Sequence, residues 1–434
     1  MMKNIRYLLS ILLLLPSLVH FGQNLTLEQA IAMGIKNSDA IRLEKEKNLL
    51  NDFDESALKA KMKPQISLNA DVRGNLKLQE SVLPFSFGPD GIEEGETVVP
   101  FGRRFNNVFS IEAQQKILDF STKYDKELIN IKRASTTIFE KEKADELKNK
   151  IKASYYNLIY RNERFLAESE IRGINKEVVD LLSEKEKSGT IIQNQYLKAK
   201  LDLMESERIL KQETAYQKKA KDNLYYLMGE EALTVDSVTI SELIHPELPI
   251  LSAAKGIESL KEENYIAELE ARIKRESALK RPTLNAYGNL TTFQQANTFN
   301  PFEKNSWFQF SYVGVRLNWT VFDGKSNQIK QDKFQMEKIL AQKKIQILQN
   351  ERNQEVKEIY IELLKDRENL QQIDQSIQMA KAILDTDIKN YNLGATPYAD
   401  VLDSKKRLAT LQSSRLEYVI NYLNNHYKWE GLVE

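Results

Sequence analysis

The chain carries one order of segments twice, and that order limits the folds open to it. The first copy reads Lys63-Pro64-Gln65-Ile66-Ser67-Leu68-Asn69-Ala70, then Ile117-Leu118-Asp119-Phe120. A long charged run follows, closed by Gly189-Thr190-Ile191-Ile192-Gln193-Asn194-Gln195-Tyr196-Leu197. The second copy reads Lys280-Arg281-Pro282-Thr283-Leu284-Asn285-Ala286, Val321-Phe322-Asp323-Gly324, another charged run, and Gly394-Ala395-Thr396-Pro397-Tyr398-Ala399-Asp400-Val401-Leu402. Both copies give helix, proline, strand, loop, strand, long helix, glycine, helix. Two such copies suggest a pseudo-symmetric wall rather than a globular enzyme core.

Residues 23–229 hold the first copy and residues 230–434 the second. Each opens with a helix. In the first it spans residues 25–61, with Thr26 as cap, Gln29 as its capping-box partner and Pro64 as the stop. Strands are expected at residues 65–78 and 105–118, and again at 283–293 and 308–322. The long helices are expected at residues 121–187 and 325–391, and the returning helices at 193–227 and 397–430. Each long run is about 67 residues, or about 100 Å of helix. Apolar residues recur in them at three- and four-residue steps, as in Leu147, Ile151, Tyr155 and Leu158. This is loose coiled-coil patterning, and no single globular core covers rods of that length.

The strands alternate cleanly. Ile66, Leu68, Ala70 and Val72 face one way, and Ser67, Asn69, Asp71 and Arg73 the other. Phe109, Ile111 and Ala113 alternate with Ser110, Glu112 and Gln114, and Val313, Val315 and Leu317 with Tyr312, Arg316 and Asn318. Period-two patterning marks strands with one dry and one wet face. Their lengths are close to the roughly 9–11 residues that a tilted strand needs to cross a bilayer. Residues 84–102, rich in Gly, Pro and Glu, are expected as a loop. Soluble hairpins packed on helices are the plainer reading, but they call for helices of ordinary length.

Composition narrows the function. Lys plus Arg and Asp plus Glu both number 62, so the net charge is zero and nothing electrostatic favours nucleic acid. The absence of cysteine rules out disulfides, thiolate metal sites and a cysteine nucleophile. His20, His245 and His426 have no partners at metal-ligand spacing. There is no Gly-rich phosphate loop, no G-x-S-x-G and no H-E-x-x-H. The chain is therefore expected to be no enzyme, to hold no metal and to need no cofactor. Residues 1–22 read as a secretory signal: Lys3 and Arg6, an apolar run over residues 7–15, then Pro16. An uncleaved anchor is the other reading, but the run is about half of the roughly 20 residues a membrane helix needs.

A sheet in lipid must close, because an open edge leaves backbone N–H and C=O groups unpaired. Four strands are too few, since the smallest barrels have about eight. If these strands lie in a membrane, several chains must share one barrel.

With these features the chain resembles the TolC family of outer-membrane channel proteins, over essentially its whole mature length. The most specific match is Gly394, five residues, then Asp400-Val401-Leu402-Asp403, followed by Ser404. Val321-Phe322-Asp323-Gly324 before the long helix is also typical, although Lys325 replaces a second glycine. The resemblance implies a homotrimer with a twelve-stranded β-barrel in outer-membrane lipid, four strands from each chain. A long α-helical coiled-coil tunnel continues it into the periplasm. It implies a passive exit duct for a tripartite efflux pump or type I secretion system, working with a periplasmic adaptor (membrane fusion) protein and an inner-membrane pump. The alternative is a periplasmic coiled-coil adaptor or scaffold, which would carry one helical hairpin rather than two.

The resemblance also points to residues. Asp400 and Asp403, three apart on one helix face, would line a periplasmic aperture; without it they read as a solvated face. Gln195 and Lys198 stand at those positions in the first copy. Tyr391 matches an aromatic that ties the aperture in the family, and Thr396 replaces an arginine found there in some members. Gly189-Thr190 and Gly394-Ala395 end the rods in left-handed turns and, by resemblance, meet the adaptor. Trp307, Phe308, Trp319 and Phe322 suit either aromatic girdles at the membrane interface or core packing.

Overall fold

The computed structural model describes residues 25–88, 91–230, 253–303 and 306–433. The signal expected at residues 1–22 and His245 lie outside them. Two compact units emerge. One holds residues 1–44, 138–260 and 346–434, and the other residues 45–137 and 261–345. The division does not follow the sequence halves 23–229 and 230–434. Each unit takes segments from both halves, because each long helix contributes residues to both units.

In the second unit four strands form an antiparallel sheet in the order β1 (Gln65–Gly74), β4 (Phe105–Leu118), β5 (Thr283–Ala296), β6 (Trp307–Asn318). Opposed residues share a face of a sheet. One cross-strand row is Ser67, Glu112, Asn289 and Tyr312, and the next is Leu68, Ile111, Leu290 and Ser311. The four strands thus put their mostly polar sets on one face and their mostly apolar sets on the other. The chain leaves the apolar face open: Leu68 is 74% and Val313 90% exposed. Asn107 and Gln294 are buried polar residues in the apolar set. Asn107 Nδ2 donates to Gln294 Oε1 at 2.8 Å, and Gln294 Nε2 donates to the Asn300 carbonyl at 2.7 Å. β1 and β6 each pair on one side only.

Several expectations need correction. Residues 84–102 are not a loop. They belong to a two-stranded ribbon of β2 (Gln79–Gly88) and β3 (Gly91–Phe101), so the chain has more strands than the four foreseen. Pro84 stands at the register shift between Leu83 and Phe85. A bulge is where a ribbon tolerates a residue with no N–H to donate. β1 stops at Gly74 rather than 78, because Asn75 turns away: its N–H donates to the Arg104 carbonyl at 2.7 Å and its Nδ2 to the Arg103 carbonyl at 2.8 Å. β6 stops at Asn318, leaving Trp319 and Phe322 outside it. The helix expected over residues 25–61 is two helices, α1 (Leu27–Asn37) and α2 (Asp39–Ala60). Ser38 is extended between them and its Oγ accepts from Ile41 N at 3.3 Å, while Asn37 Nδ2 donates to the Met228 carbonyl at 2.9 Å. Asn and Ser side chains offer the backbone an alternative to continuing a helix. The capping box of Thr26 and Gln29 is present at the start of α1.

The first unit is helical. It contains α1 and most of α3 (Thr122–Lys187), α4 (Gln193–Met228), the later part of α6 (Ser326–Asn392) and α7 (Tyr398–Val433); α5 (Ile257–Leu279) lies mainly in the other unit. Ile151, Leu224, Met228, Leu363, Val419 and Tyr422 centre its core. Along that core, polar rungs join the rods. Arg161 pairs with Glu213 at 2.9 Å and Asn223 Nδ2 donates to Ser154 Oγ at 2.9 Å, joining α3 to α4. Lys152–Glu430 and Arg164–Glu417, both at 2.6 Å, join α3 to α7. Arg415–Asp374 at 2.5 Å and Asn425–Asp366 at 2.7 Å join α7 to α6. In each set one partner's number rises as the other's falls, so neighbours are antiparallel and the rungs order the helices α4, α3, α7, α6. Burial pushes the Asp366 carboxyl above its ordinary range, although Asn425 donates to it.

Candidate functional site

The residues singled out for function stand at the ends of two helical hairpins in the helical unit. α3 and α6 end in the same way. The Thr190 N–H donates to the Lys185 carbonyl at 2.9 Å and the Gly189 N–H to the Glu186 carbonyl at 3.0 Å. The Ala395 N–H donates to the Asn390 carbonyl at 2.8 Å and the Gly394 N–H to the Tyr391 carbonyl at 2.9 Å. This is the Schellman arrangement, which satisfies carbonyls left over at a helix end and requires a left-handed residue. Gly189 at φ 71° and Gly394 at φ 74° supply it. A Cβ added to either glycine would meet nothing within 4 Å, so the turn needs glycine for its backbone and not for space.

α7 then starts beyond Pro397, with Asp400 in its first turn. Asp400 and Asp403 are both exposed, while Val401 and Leu402 between them are buried. Leu402 packs with Ile174 and Ala409, joined by Tyr398 and Val178, which fixes that side of α7 against α3. The two carboxylates therefore share the solvent-facing side, and among the described residues neither has a side-chain partner. Gln195 and Lys198 on α4 are exposed as well. The Tyr391 ring lies 5.1 Å from that of Tyr398. Thr396 Oγ1 is buried with no hydrogen-bond partner among the described residues.

The partners of these elements are long-range and were not legible in the sequence. Glu177 on α3 accepts from Tyr398 Oη at 3.4 Å and pairs with Lys405 at 3.5 Å. Asp202 on α4 pairs with Lys406 at 3.0 Å, and Ser404 Oγ donates to Asp387 on α6. Exposed pairs of this kind are worth about 0–1 kcal/mol each. They hold the start of α7 to α3, α4 and α6 without burying it. Nothing here resembles a catalytic group beside a reacting position. Exposed carboxylates on one helix face can bind or attract cations, and a backbone-rich turn can meet another helix end.

The sequence matches no protein-family model and no curated protein. Solved structures do match it over nearly its full length. CusC, studied for transmembrane channel formation, superposes with a TM-score of 0.71 at 14% identity, over 95% of this chain and 93% of that one. The Campylobacter jejuni outer-membrane channel CmeC gives 0.66 at 12% identity, over 94% and 85%. The open state of the Neisseria gonorrhoeae outer-membrane channel MtrE gives 0.65 at 12% identity, over 94% and 88%. The fold is that of these outer-membrane channels. A mostly helical chain with a small antiparallel sheet agrees with the architecture read from the sequence.

The sheet corrects one expectation about aromatic residues. Phe308 lies opposite Phe293 on the mostly polar face, so it does not share a face with Trp307. Trp307 Nε1 donates to the Pro301 carbonyl at 2.9 Å and Trp319 Nε1 to the Lys280 carbonyl at 3.1 Å.

The open space around Gly394 yields a test. Gly394→Ala and Gly394→Leu should destabilise the turn equally, by about 1 kcal/mol, because both pay only for the left-handed backbone. Hydrogen exchange at Gly394 and Ala395 should quicken about fivefold in both variants. A far larger effect for leucine would mean that a side chain does meet something there.

Proposed function

We propose that three copies of this chain close one β-barrel in the outer membrane of a Gram-negative-type bacterium and continue it as an α-helical tunnel in the periplasm. The assembly is a passive exit duct of a tripartite efflux pump or type I secretion system. The observation that carries this reading is the four-stranded sheet, with one apolar face and two unpaired edges. β1 and β6 run antiparallel, so β6 of one copy can pair with β1 of the next without changing the sheet pattern. Lipid would cover the apolar face, and closure would pair the edges as a bilayer demands. The helical layer offers two edges in the same way. α4 exposes Leu197, Leu201 and Met204, and α6 exposes Ile361, Met379 and Ile383. A neighbouring copy would cover them. The shared fold with outer-membrane channels supports the same reading, as does the twofold repeat of segments. The chain carries no machinery for energy transduction that its sequence reveals, so transport would draw on a partner pump through a periplasmic adaptor. Native mass measurement in detergent should give three chains per particle. A monomer that stays soluble without detergent would sink the proposal.

Asp400 and Asp403, with Tyr391, Gln195, Lys198 and Thr396 nearby in sequence on the two hairpins, would form the periplasmic aperture. Three copies would set six carboxylates around one axis, which favours cations. Lys198 would weaken that field or pair with an acid, and the free Thr396 hydroxyl would find a partner across copies. Replacing Asp400 and Asp403 with alanine should lower the cation preference in planar bilayers toward one and relieve block by trivalent cations. Unchanged selectivity would move the constriction elsewhere.

Gly189-Thr190 and Gly394-Ala395 would be adaptor-docking points, six per trimer. A flat turn built from backbone lets another helical hairpin approach closely. Gly394→Leu should then cut transport while Gly394→Ala retains it, with the trimer intact in both. Equal transport by the two variants would remove the docking role and leave only the turn.

A further inference from the structure

The polar face of the sheet carries an unbroken run of aromatic rings. Phe308 and Phe293 are 5.6 Å apart, Phe293 and Phe310 6.1 Å, Phe310 and Tyr312 6.3 Å, and Tyr312 and Tyr287 6.0 Å. They stand in register with mostly polar residues of β1 and β4: Phe293 shares a row with Val108 and Asp71, and Thr291 and Phe310 share the next row with Asn69 and Ser110. The run is not a buried core. Phe308 is 54%, Phe310 48% and Tyr312 49% exposed. Exposed rings on a face that otherwise carries mainly polar and charged residues, such as Ser67, Asn69, Asp71, Arg73, Glu112 and Arg316, call for an explanation, since the apolar face already takes most of the Ile, Leu and Val residues.

Charge on the same face says what would sit there. Glu112 lies in the row of Asn289 and Tyr312, two strands or about 10 Å from the tyrosine. It is exposed and has no ion pair or hydrogen bond among the described residues. A ring face is electron-rich and attracts cations. The run already shows this at one end, where the Arg316 guanidinium sits 4.6 Å over the Tyr287 ring. Among the described residues, the remaining rings and the Glu112 carboxylate have no such partner.

We propose that the rings of Phe308, Phe310 and Tyr312, with the Glu112 carboxylate, form a binding track for molecules with an aromatic, cationic body. The proposal rests on the channel reading, which turns this face to the lumen. An aromatic cation gains ring–ring contact in addition to the attraction of ring faces and carboxylate for its charge, so it is favoured over a purely aliphatic cation, which lacks that contact, and over an aromatic anion, which Glu112 repels. Small hydrated ions pass without using the rings.

Tetraphenylphosphonium and tetraethylammonium, two cations of equal charge, distinguish the possibilities when applied to the purified full-length protein in planar bilayers. Tetraphenylphosphonium should block at about tenfold lower concentration. Phe310→Thr with Tyr312→Thr should raise its half-blocking concentration about fivefold and that of tetraethylammonium by clearly less, since only the former also loses ring–ring contact. Glu112→Gln should weaken block by both. If the double threonine variant fails to assemble, Phe310→Leu, which keeps an apolar side chain without a π face, should still weaken tetraphenylphosphonium block more than tetraethylammonium block. Conductance with tetraphenylphosphonium block unaltered by these variants overturns the track alone. An assembled protein with no conductance overturns the channel reading, and the track with it.

Discussion

Cross-strand register is the constraint on which the sheet unit depends. A slip of one residue between any two strands would turn one strand's apolar set to the polar face. The pairing of Ser67 with Glu112, Asn289 and Tyr312, and of Leu68 with Ile111 and Leu290, keeps all four strands in phase. Two features limit the cost of irregularity. The polar pair Asn107 and Gln294 on the apolar side is bonded to itself and to the Asn300 carbonyl, with only Asn107 Oδ1 of the two amides left without a partner among the described residues, and the bulge at Pro84 is confined to the separate β2–β3 ribbon. With register fixed, the outer sides of β1 and β6, unpaired among the described residues, are the positions open to a further strand.

Much of this was legible in the sequence because it is local. Alternation at residues 66–73 and 312–318 marks two-faced strands, and glycine at 189 and 394 marks the two helix ends. The three-residue spacing of Asp400 and Asp403 puts them on one helix face. What was not legible depends on contacts far along the chain. The β2–β3 ribbon hides behind Gly, Pro and Glu, residues that read as loop until a partner strand is known. The break at Ser38 looks harmless in a helical run; Asn37 reaching the Met228 carbonyl makes it a corner. Phe308 reads as a girdle residue until its opposition to Phe293 turns it to the other face. Glu177 is one acid among many in α3, and only the fold brings Tyr398 and Lys405 to it.

The helical unit solves a different problem from the sheet. A rod of about 67 residues cannot be held by one core, and the apolar cluster around Ile151, Leu363 and Tyr422 serves only part of it. Beside that cluster and past it the helices align through polar rungs, in the antiparallel order α4, α3, α7, α6. The outer helices of that order carry the exposed Leu201 and Met204 on one side and Ile361 and Met379 on the other. Sheet and helices thus repeat one theme, a layer whose interior is paired and whose margins are not.

The rungs also set the mechanical character of the rods. A tightly interlocked apolar seam resists sliding, because every displacement opens voids or exposes hydrocarbon. Ion pairs such as Lys405–Glu177 and Lys406–Asp202 are open to water, where each is worth about 0–1 kcal/mol and can exchange for hydration as the helices move. Far from the Ile151 cluster, the layer is therefore compliant: it can shear or twist by small steps at little cost, and dissolved salt, which screens the pairs, softens it further.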